Sequence, residues 1–213
     1  MKDEEILKLV LKALERLHNE DQFLLDKDLC ERCIMHKLAE KMAMLFPEYD
    51  VDCEYNRDTP GKAKKEIEVI KTDCAEEEEP YYQIHSSYPD IVVHERGDND
   101  NNLLVIEMKI KNDADTLDLE KLIGLTEFEQ LERNHFHYQL GMFLQVNLQQ
   151  GEDKFLLYKE GKVVKPSDGR TYMGIAPLYT PSKRAYLHFK QCLVTNEGET
   201  LFEERCGGIL DLR

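Results

Sequence analysis

Apolar residues recur at helical spacing near the start of the chain. Residues 3–18 carry them at intervals of three and four, which predicts a helix with one apolar face. The same spacing predicts a second helix over 28–45, with Asp26 or Asp28 as its N-cap and Pro47 beyond its end. Both helices precede the first segment with strand character.

Alternating and apolar runs after the second helix predict strands. Residues 49–57 alternate, and residues 66–70 form a short apolar run. Two further runs, 90–94 and 103–111, flank a turn of Gly, Asp and Asn residues, which is the pattern of a β-hairpin. Later segments predict a helix over 115–134, a strand over 138–148, a hairpin turn at Glu160-Gly161 and a last strand or helix over 183–194. This mixture predicts an α/β protein whose central sheet is covered on both faces.

The chain has 213 residues and a mass of 25.0 kDa, which suits one domain over 1–213. Charged residues make up 33%, no apolar run approaches 18 residues, and the start of the chain lacks the apolar stretch of a signal peptide. We therefore expect a cytoplasmic protein that does not enter a membrane. The net charge of −15 argues against a large nucleic-acid footprint, but a small site that recruits divalent cations remains compatible with it.

Six cysteines without disulfide-scaffold density indicate free, buried thiols. The spacing Cys30-x-x-Cys33 leaves zinc binding or redox chemistry as an alternative. Because the chain has no second pair with this spacing, buried thiols are the favoured interpretation.

The predicted hairpin places charged residues on one face of two otherwise apolar strands. Since side chains alternate along a strand, Asp90 is expected to lie near Glu107 and Lys109. Two adjacent carboxylates repel unless a cation such as Mg²⁺ joins them, and a nearby lysine can orient or deprotonate a water or neutralise developing charge. The alternative is that Glu107 and Lys109 form a surface pair that contributes little to stability.

Glu31 adds a third carboxylate to this picture. On a helical projection it falls in the apolar stripe of the second helix, where a charge is costly unless it is paired or bound to a metal. The alternative is a position in the first turn, where the helix N-terminus favours negative charge.

The residues Pro89-Asp90, a spacer of sixteen residues and Glu107-Met108-Lys109 resemble the motif of the PD-(D/E)XK nuclease superfamily. The resemblance covers about 28–148 and implies a restriction-endonuclease-like αβββαβ core, a three-layer α/β/α sandwich with a mixed central sheet. Residues 1–20, an N-terminal helix, and 151–213, a β-rich extension, are additions to that core. The resemblance also implies that Mg²⁺ or Mn²⁺ is bound by Asp90, Glu107, the Met108 carbonyl and Glu31, and that Lys109 is the catalytic lysine.

Substrate contacts follow from the same resemblance and from basic residues. Members often place a Gln or Tyr near the site in the segment that holds Tyr138 and Gln139, and Arg57 follows the first strand. A basic group formed by Lys62, Lys64 and Lys65 can hold a phosphate backbone, although a solvated surface is the commoner role. The predicted function is a metal-dependent nuclease that hydrolyses DNA phosphodiester bonds. The alternative is a catalytically silent nuclease-fold module that binds a protein or assembles as a homo-oligomer.

Overall fold

The computed structural model of the protein describes residues 1–27, 30–58, 63–71, 81–110, 116–127, 133–148, 152–164, 171–177, 184–194 and 200–211. The helices in these ranges are α1 (Asp3–Glu20), α2 (Gln22–Asp26), α3 (Glu31–Ala43) and α4 (Thr116–Thr126). The strands are β1 (Asp50–Cys53), β2 (Glu66–Lys71), β3 (Tyr81–Ser86), β4 (Ile91–His94), β5 (Leu104–Lys109), β6 (Leu140–Gln145), β7 (Glu152–Lys159), β8 (Lys162–Val163), β9 (Thr171–Pro177), β10 (Arg184–Val194) and β11 (Thr200–Asp211). The predicted α/β class is confirmed.

A mixed sheet forms the centre of the protein. Its strands lie in the order β1-β4-β5-β6-β7, with β8 also on β7, and the pairing continues through β9, β10 and β11. β5 and β6 are parallel, whereas β1, β4 and β5 are joined by antiparallel pairing. A parallel pair needs a crossover connection, and α4 lies in the segment that supplies it. β2 and β3 form a separate two-stranded sheet.

Helices pack on opposite faces of this sheet because β4 and β5 alternate their side chains. On one face, buried residues of α1 and α3 share a core with Ile91, Val93, Leu104, Ile106 and Met108. On the other face, α4 packs with Val92, Val105, Phe143 and Ile67 through Leu122 and Leu125. Burial on both faces accounts for the continuous apolar runs in β4 and β5.

The N-terminal helices differ from the prediction at their ends. α1 continues to Glu20, and the short α2, which the sequence did not predict, ends at Asp26. α3 begins at Glu31 with Cys30 as its N-cap, without a capping hydrogen bond from that side chain. Asp26 is therefore not the N-cap, and Asp28 lies outside the described residues. A five-residue helix is too short to show a periodic pattern, which explains why α2 was missed.

Several predicted elements are shorter than expected, among them the strand predicted over 138–148, of which only Leu140–Gln145 form β6. β1 ends at Cys53 because Glu54 adopts a φ of 51°, which turns the chain away from the sheet. α4 ends at Thr126, far short of residue 134. Beyond it the Asn134 side chain bonds both backbone groups of Glu68, and the Tyr138 N–H donates to the Leu125 carbonyl. These contacts hold the segment from 133 onward outside the helix.

The hairpin and strand predictions farther along the chain are confirmed. Glu160 and Gly161 have φ values of 52° and 69°, as expected for a two-residue turn between paired strands. Residues 184–194 form a strand, β10, and not a helix. The run 66–70 is a strand, but it pairs with β3, which the sequence did not predict.

Gly141 lets β6 lie close beneath α4. A Cβ atom at this position would lie 2.9 Å from Thr126 Cγ2 and 3.2 Å from Tyr158 Cβ. Gly141→Ala is therefore expected to lower the free energy of unfolding by about 1 to 3 kcal/mol, measured by urea denaturation. Adding Thr126→Ser removes the nearest methyl group and keeps the hydroxyl, so the double variant should recover part of the loss. Unchanged stability in Gly141→Ala would contradict this packing.

Candidate functional site

The carboxyl end of β5 gathers the charged residues of the predicted hairpin. Ile91 pairs with Ile106, so the register continues to place Asp90 opposite Glu107. The Met108 N–H donates a hydrogen bond of 2.6 Å to Asp90 Oδ2. The predicted juxtaposition of the two carboxylates follows directly from this hairpin.

Glu107 is the most deeply buried member of the group. It is 1% exposed on the α4 side of the sheet, and its Oε2 accepts a hydrogen bond of 3.2 Å from Lys121 Nζ. Its Oε1 has no hydrogen-bond partner among the described residues. Burial raises the pKa of Glu107 to about 8; Lys121 opposes this rise, and Asp90 and Asp118 add to it. One buried oxygen of this carboxylate is thus left without a hydrogen-bond donor in the described part of the chain.

Asp90 and Glu31 complete the acidic side of the site. Burial raises the pKa of Asp90, its bond from Met108 opposes the rise, and the nearby charge of Glu31 adds to it. Glu31 is the first residue of α3 and is partly exposed; its Oε2 accepts a hydrogen bond of 3.3 Å from the Ile110 N–H. Glu31 lies on the same helical face as the buried Ile34 and Leu38, as predicted, but in the first turn, which was the alternative position, and its carboxylate reaches the end of β5.

Two lysines and a further carboxylate complete the group. Lys109 Nζ lies 3.1 Å from Asp118 Oδ2, and Lys121 Nζ lies 3.3 Å from Asp118 Oδ1. Burial lowers the pKa of each lysine, but the surrounding carboxylates outweigh it and raise both pKa values. The carboxylates around them therefore favour the ammonium form of both side chains.

The sequence analysis missed Asp118 and Lys121. They lie three residues apart on α4 and share a face with Leu122 and Leu125, which contact the sheet. Their position on the apolar face of a helix could have indicated that they belong to the site, because charged side chains that are buried need partners.

The charges of this group suit one divalent cation. Four carboxylates (Glu31, Asp90, Glu107 and Asp118) face two ammonium groups, which leaves an excess of two negative charges when all are ionised. Within the part of the chain that the structure describes, no three His, Cys, Asp or Glu side chains are grouped to hold a metal ion. Mg²⁺ commonly takes one or two carboxylates and completes its shell with water and substrate phosphate. Asp90 and Glu107 fit that arrangement, and a cage that includes Glu31 is not formed.

Comparisons with known proteins add no family to this geometry. No family model, curated protein or solved structure matches the chain. Among the described residues, none of the helices has the length and apolar character needed to cross a membrane. The function must therefore be inferred from the site itself.

Tyr138 and Gln139 lie at the other end of the sheet from the carboxylates. β6 runs parallel to β5 with Leu140 beside Leu104, so both residues are level with the start of β5. Gln139 Nε2 donates to Asp3 Oδ1 at 2.7 Å, on the N-terminal helix. Tyr138 is fully buried, and its hydroxyl accepts a hydrogen bond from Lys65 Nζ. The structure does not bring these two predicted substrate contacts to the site.

Lys65 is not part of a basic surface. It is 1% exposed, and its Nζ lies 4.7 Å from the ring centre of Phe136 and 4.8 Å from that of Tyr138. Burial lowers the pKa of Lys65 to about 8. The predicted phosphate-binding role is therefore wrong for this residue, and Lys62 lies outside the described residues.

Arg57 and Lys64 remain on the surface. Both side chains are exposed, and the two residues form an antiparallel bridge. Hydrogen bonds from Asn56 and Lys64, and to a lesser extent the charge of Arg57, lower the pKa of Tyr88. Asp58, the neighbour of Arg57, accepts a hydrogen bond from Asn99 in the hairpin turn, so this segment reaches the end of β4 and β5 opposite the carboxylates.

Proposed function

We propose that the protein is a divalent-metal-dependent nuclease of the PD-(D/E)XK superfamily that hydrolyses DNA phosphodiester bonds. The observation that carries the proposal is the buried Glu107 carboxylate beside Asp90, with one oxygen lacking a hydrogen-bond partner. The ammonium group of Lys109, which follows on the same face of β5, is held at this end of the strand by Asp118. Two adjacent carboxylates, one of them with an unpartnered oxygen among the described residues, next to a fixed ammonium group suit metal-assisted phosphoryl chemistry.

The order of elements supports the superfamily. The elements α3, β1, β4, β5, α4 and β6 follow one another as helix, three strands, helix and strand, with the β2–β3 hairpin inserted. Their strands are neighbours in the sheet, and α3 and α4 lie on opposite faces. The αβββαβ core and the three-layer sandwich implied by the resemblance are both compatible with this arrangement. The substrate still has to be argued from the site, because fold similarity does not determine function.

Each residue of the site has a distinct role in this proposal. Asp90, Glu107 and the Met108 carbonyl would hold Mg²⁺ or Mn²⁺, which when bound lowers the pKa of a water and offsets negative charge on the phosphate. Lys109 keeps its proton and places positive charge where negative charge develops on the phosphate oxygens. Lys121 orients the Glu107 carboxylate through its hydrogen bond. Glu31 fixes the end of β5 through the Ile110 N–H.

DNA binding would depend on a small number of phosphate contacts. Arg57 and Lys64 supply exposed positive charge, whereas the net charge of −15 repels the rest of a polyanion. Affinity from few contacts falls only modestly with salt, since each neutralised phosphate contributes about 0.9 to the slope of log K against log salt. A bound cation would supply additional positive charge at the reacting phosphate.

The nuclease proposal predicts a loss of DNA cleavage in two variants. Lys109→Met and Asp90→Asn are expected to cleave about 100-fold more slowly or worse, because one removes the charge at the phosphate and the other a metal ligand. The assay uses supercoiled, linear, branched and single-stranded DNA with Mg²⁺ or Mn²⁺. Lys37→Met, at an α3 lysine paired with Glu40, is the matched control and should cleave normally. Cleavage absent from the wild type under every condition, or equal in all variants, would refute the proposal.

The net charge and the lack of a three-ligand group among the described residues favour a second candidate. It is a catalytically silent module of the same fold that binds a protein or assembles with itself. Under this alternative, Asp90→Asn would leave both partner binding and oligomeric state unchanged, and isothermal titration would detect no Mg²⁺ or Mn²⁺ binding. Saturable cation binding that Asp90→Asn abolishes would exclude it.

A further inference from the structure

The start of α3 carries two thiols that the proposed nuclease site does not use. Cys30 Sγ and Cys33 Sγ lie 3.2 Å apart, and both residues are exposed. The Cys33 N–H donates a hydrogen bond of 2.9 Å to the Cys30 carbonyl, which closes the turn between them. The expectation that these cysteines are buried core thiols is therefore wrong, which leaves redox chemistry and zinc binding as the two alternatives for this pair.

The geometry of this turn suits a disulfide. A turn closed by a hydrogen bond between residues i and i+3 holds their Cα atoms within about 7 Å, and disulfides usually span about 4.4 to 6.8 Å. The two sulfurs, 3.2 Å apart, need to approach to about 2.05 Å. Rotation of the two side chains can supply this change while α3 stays in place.

No further thiol among the described side chains competes for this bond. Cys53 is partly buried, and burial raises its pKa to about 11. A buried thiol with a raised pKa exchanges slowly, because the thiolate is the attacking species. Zinc needs about four ligands at a structural site, and the described residues contain no group of three that includes this pair.

We propose that Cys30 and Cys33 are a redox-active pair that forms a reversible intramolecular disulfide by exchange with small-molecule disulfides such as glutathione disulfide. One thiol loses its proton and attacks a sulfur of the small disulfide, which releases one small thiol and leaves a mixed disulfide. The second cysteine then attacks the protein sulfur of that mixed disulfide and releases the other small thiol. In total the protein loses two protons and two electrons, and the small disulfide takes them up to become two thiols.

The bond would enclose Glu31, which lies in the same turn. The Glu31 carboxylate accepts the Ile110 N–H, so the turn is attached to the end of β5. A disulfide restricts local opening of the turn, and oxidation is therefore expected to slow hydrogen exchange of the Ile110 amide. This inference goes beyond the proposed nuclease and does not depend on it, because both readouts are independent of DNA cleavage.

The test treats the full-length reduced protein with glutathione buffers of increasing disulfide content, followed by acid quenching, alkylation and peptide mass mapping. The expected product is a Cys30–Cys33 bridge that exceeds half of the protein in excess glutathione disulfide and reverts with dithiothreitol. Cys33→Ser should instead accumulate a glutathione adduct at Cys30. Cys53→Ser, the matched control, should form the bridge as the wild type does.

Two outcomes would overturn the proposal, and a third bears only on the turn that holds Glu31. The first is glutathione adducts on both cysteines of the wild type without a bridge. The second is one equivalent of zinc in the purified protein that is lost in Cys30→Ser, which would make the pair a metal site. The third concerns Glu31: an Ile110 amide that exchanges at the same rate in reduced and oxidised protein would refute the effect on this turn.

Discussion

Replacing Tyr138 by alanine is expected to lower the free energy of unfolding by about 3 to 5 kcal/mol, the range for removal of a large buried aromatic side chain. Tyr138 is fully buried in the core between α4 and the sheet, together with Leu122 and Phe143. Its hydroxyl also accepts a hydrogen bond of 2.8 Å from Lys65 Nζ. Alanine would leave a cavity and take this partner from a buried ammonium group. Urea denaturation followed by circular dichroism measures the loss.

Tyr138→Phe separates the ring from the hydroxyl. It keeps the packing and removes the bond to Lys65, so the expected loss is about 1.5 to 3 kcal/mol, the range for a hydrogen bond to a charged group. Because Tyr138 precedes β6 at the end of the sheet opposite Glu107, DNA cleavage by this variant should equal that of the wild type. A Tyr138→Phe protein with normal stability and impaired cleavage would contradict the structural role of Tyr138 and would support its predicted role as a substrate contact.

Glu107→Gln is expected to raise stability at high pH and to change its pH dependence. The pKa of Glu107 rises from 4.5 to about 8 on folding, so between these values only the unfolded chain is ionised. Each pH unit in that window lowers the free energy of unfolding of the wild type by about 1.4 kcal/mol, which amounts to about 4 to 5 kcal/mol across the whole window. The stability that Glu107 provides is thus fully present below pH 4.5 and lost as the pH rises to 8. The difference in free energy of unfolding between Glu107→Gln and the wild type, measured by urea denaturation from pH 4 to 9, should therefore increase as the pH rises.

Two controls test whether Glu107 causes this change of the free energy of unfolding with pH. Glu40→Gln, at an exposed carboxylate on α3, should follow the pH profile of the wild type. Added Mg²⁺ should reduce the slope in the wild type alone, since a bound cation favours the ionised carboxylate. Parallel profiles for Glu107→Gln and the wild type would mean that Glu107 ionises normally and that its environment is more polar than the structure indicates.

Local pattern was sufficient to predict the hairpin at the centre of the site. The turn residues at 97–102 and the alternation in the two strands define a register within about twenty residues of sequence, so Asp90, Glu107 and Lys109 were found. The order α1, α3, β1, β4, β5, α4 and β6 was predicted for the same reason, whereas α2 and β3 were not. Side chains that meet through tertiary contacts were not predicted either: Lys121 reaches Glu107, and Asp118 reaches Lys109, only because α4 crosses over β5 and β6.

Burial of polar residues was the main source of error. Lys65 lies in the segment KAKKE, which has the composition of a solvated surface. Its actual environment is built by Tyr55, Phe136 and Tyr138, two of which lie more than seventy residues away. The end of α4 was misplaced for a similar reason, since the Asn134 side chain bonds the distant β2. Tyr138 and Gln139 were selected by analogy of position, which does not specify the end of the sheet at which a residue lies.

The packing of α1 determines how much of the chain folds as a unit. Ile6, Val10, Leu14 and Leu17 are buried in the same core as α3 and the sheet. His18 Nε2 also lies 3.2 Å from Oδ2 of the fully buried Asp153 on β7. A fragment beginning at residue 28 would expose the apolar side of α3 to water and leave a buried carboxylate without this partner. The smallest cooperative folding unit therefore includes α1, and the helix that looks like an appendage in the sequence is an integral part of the core.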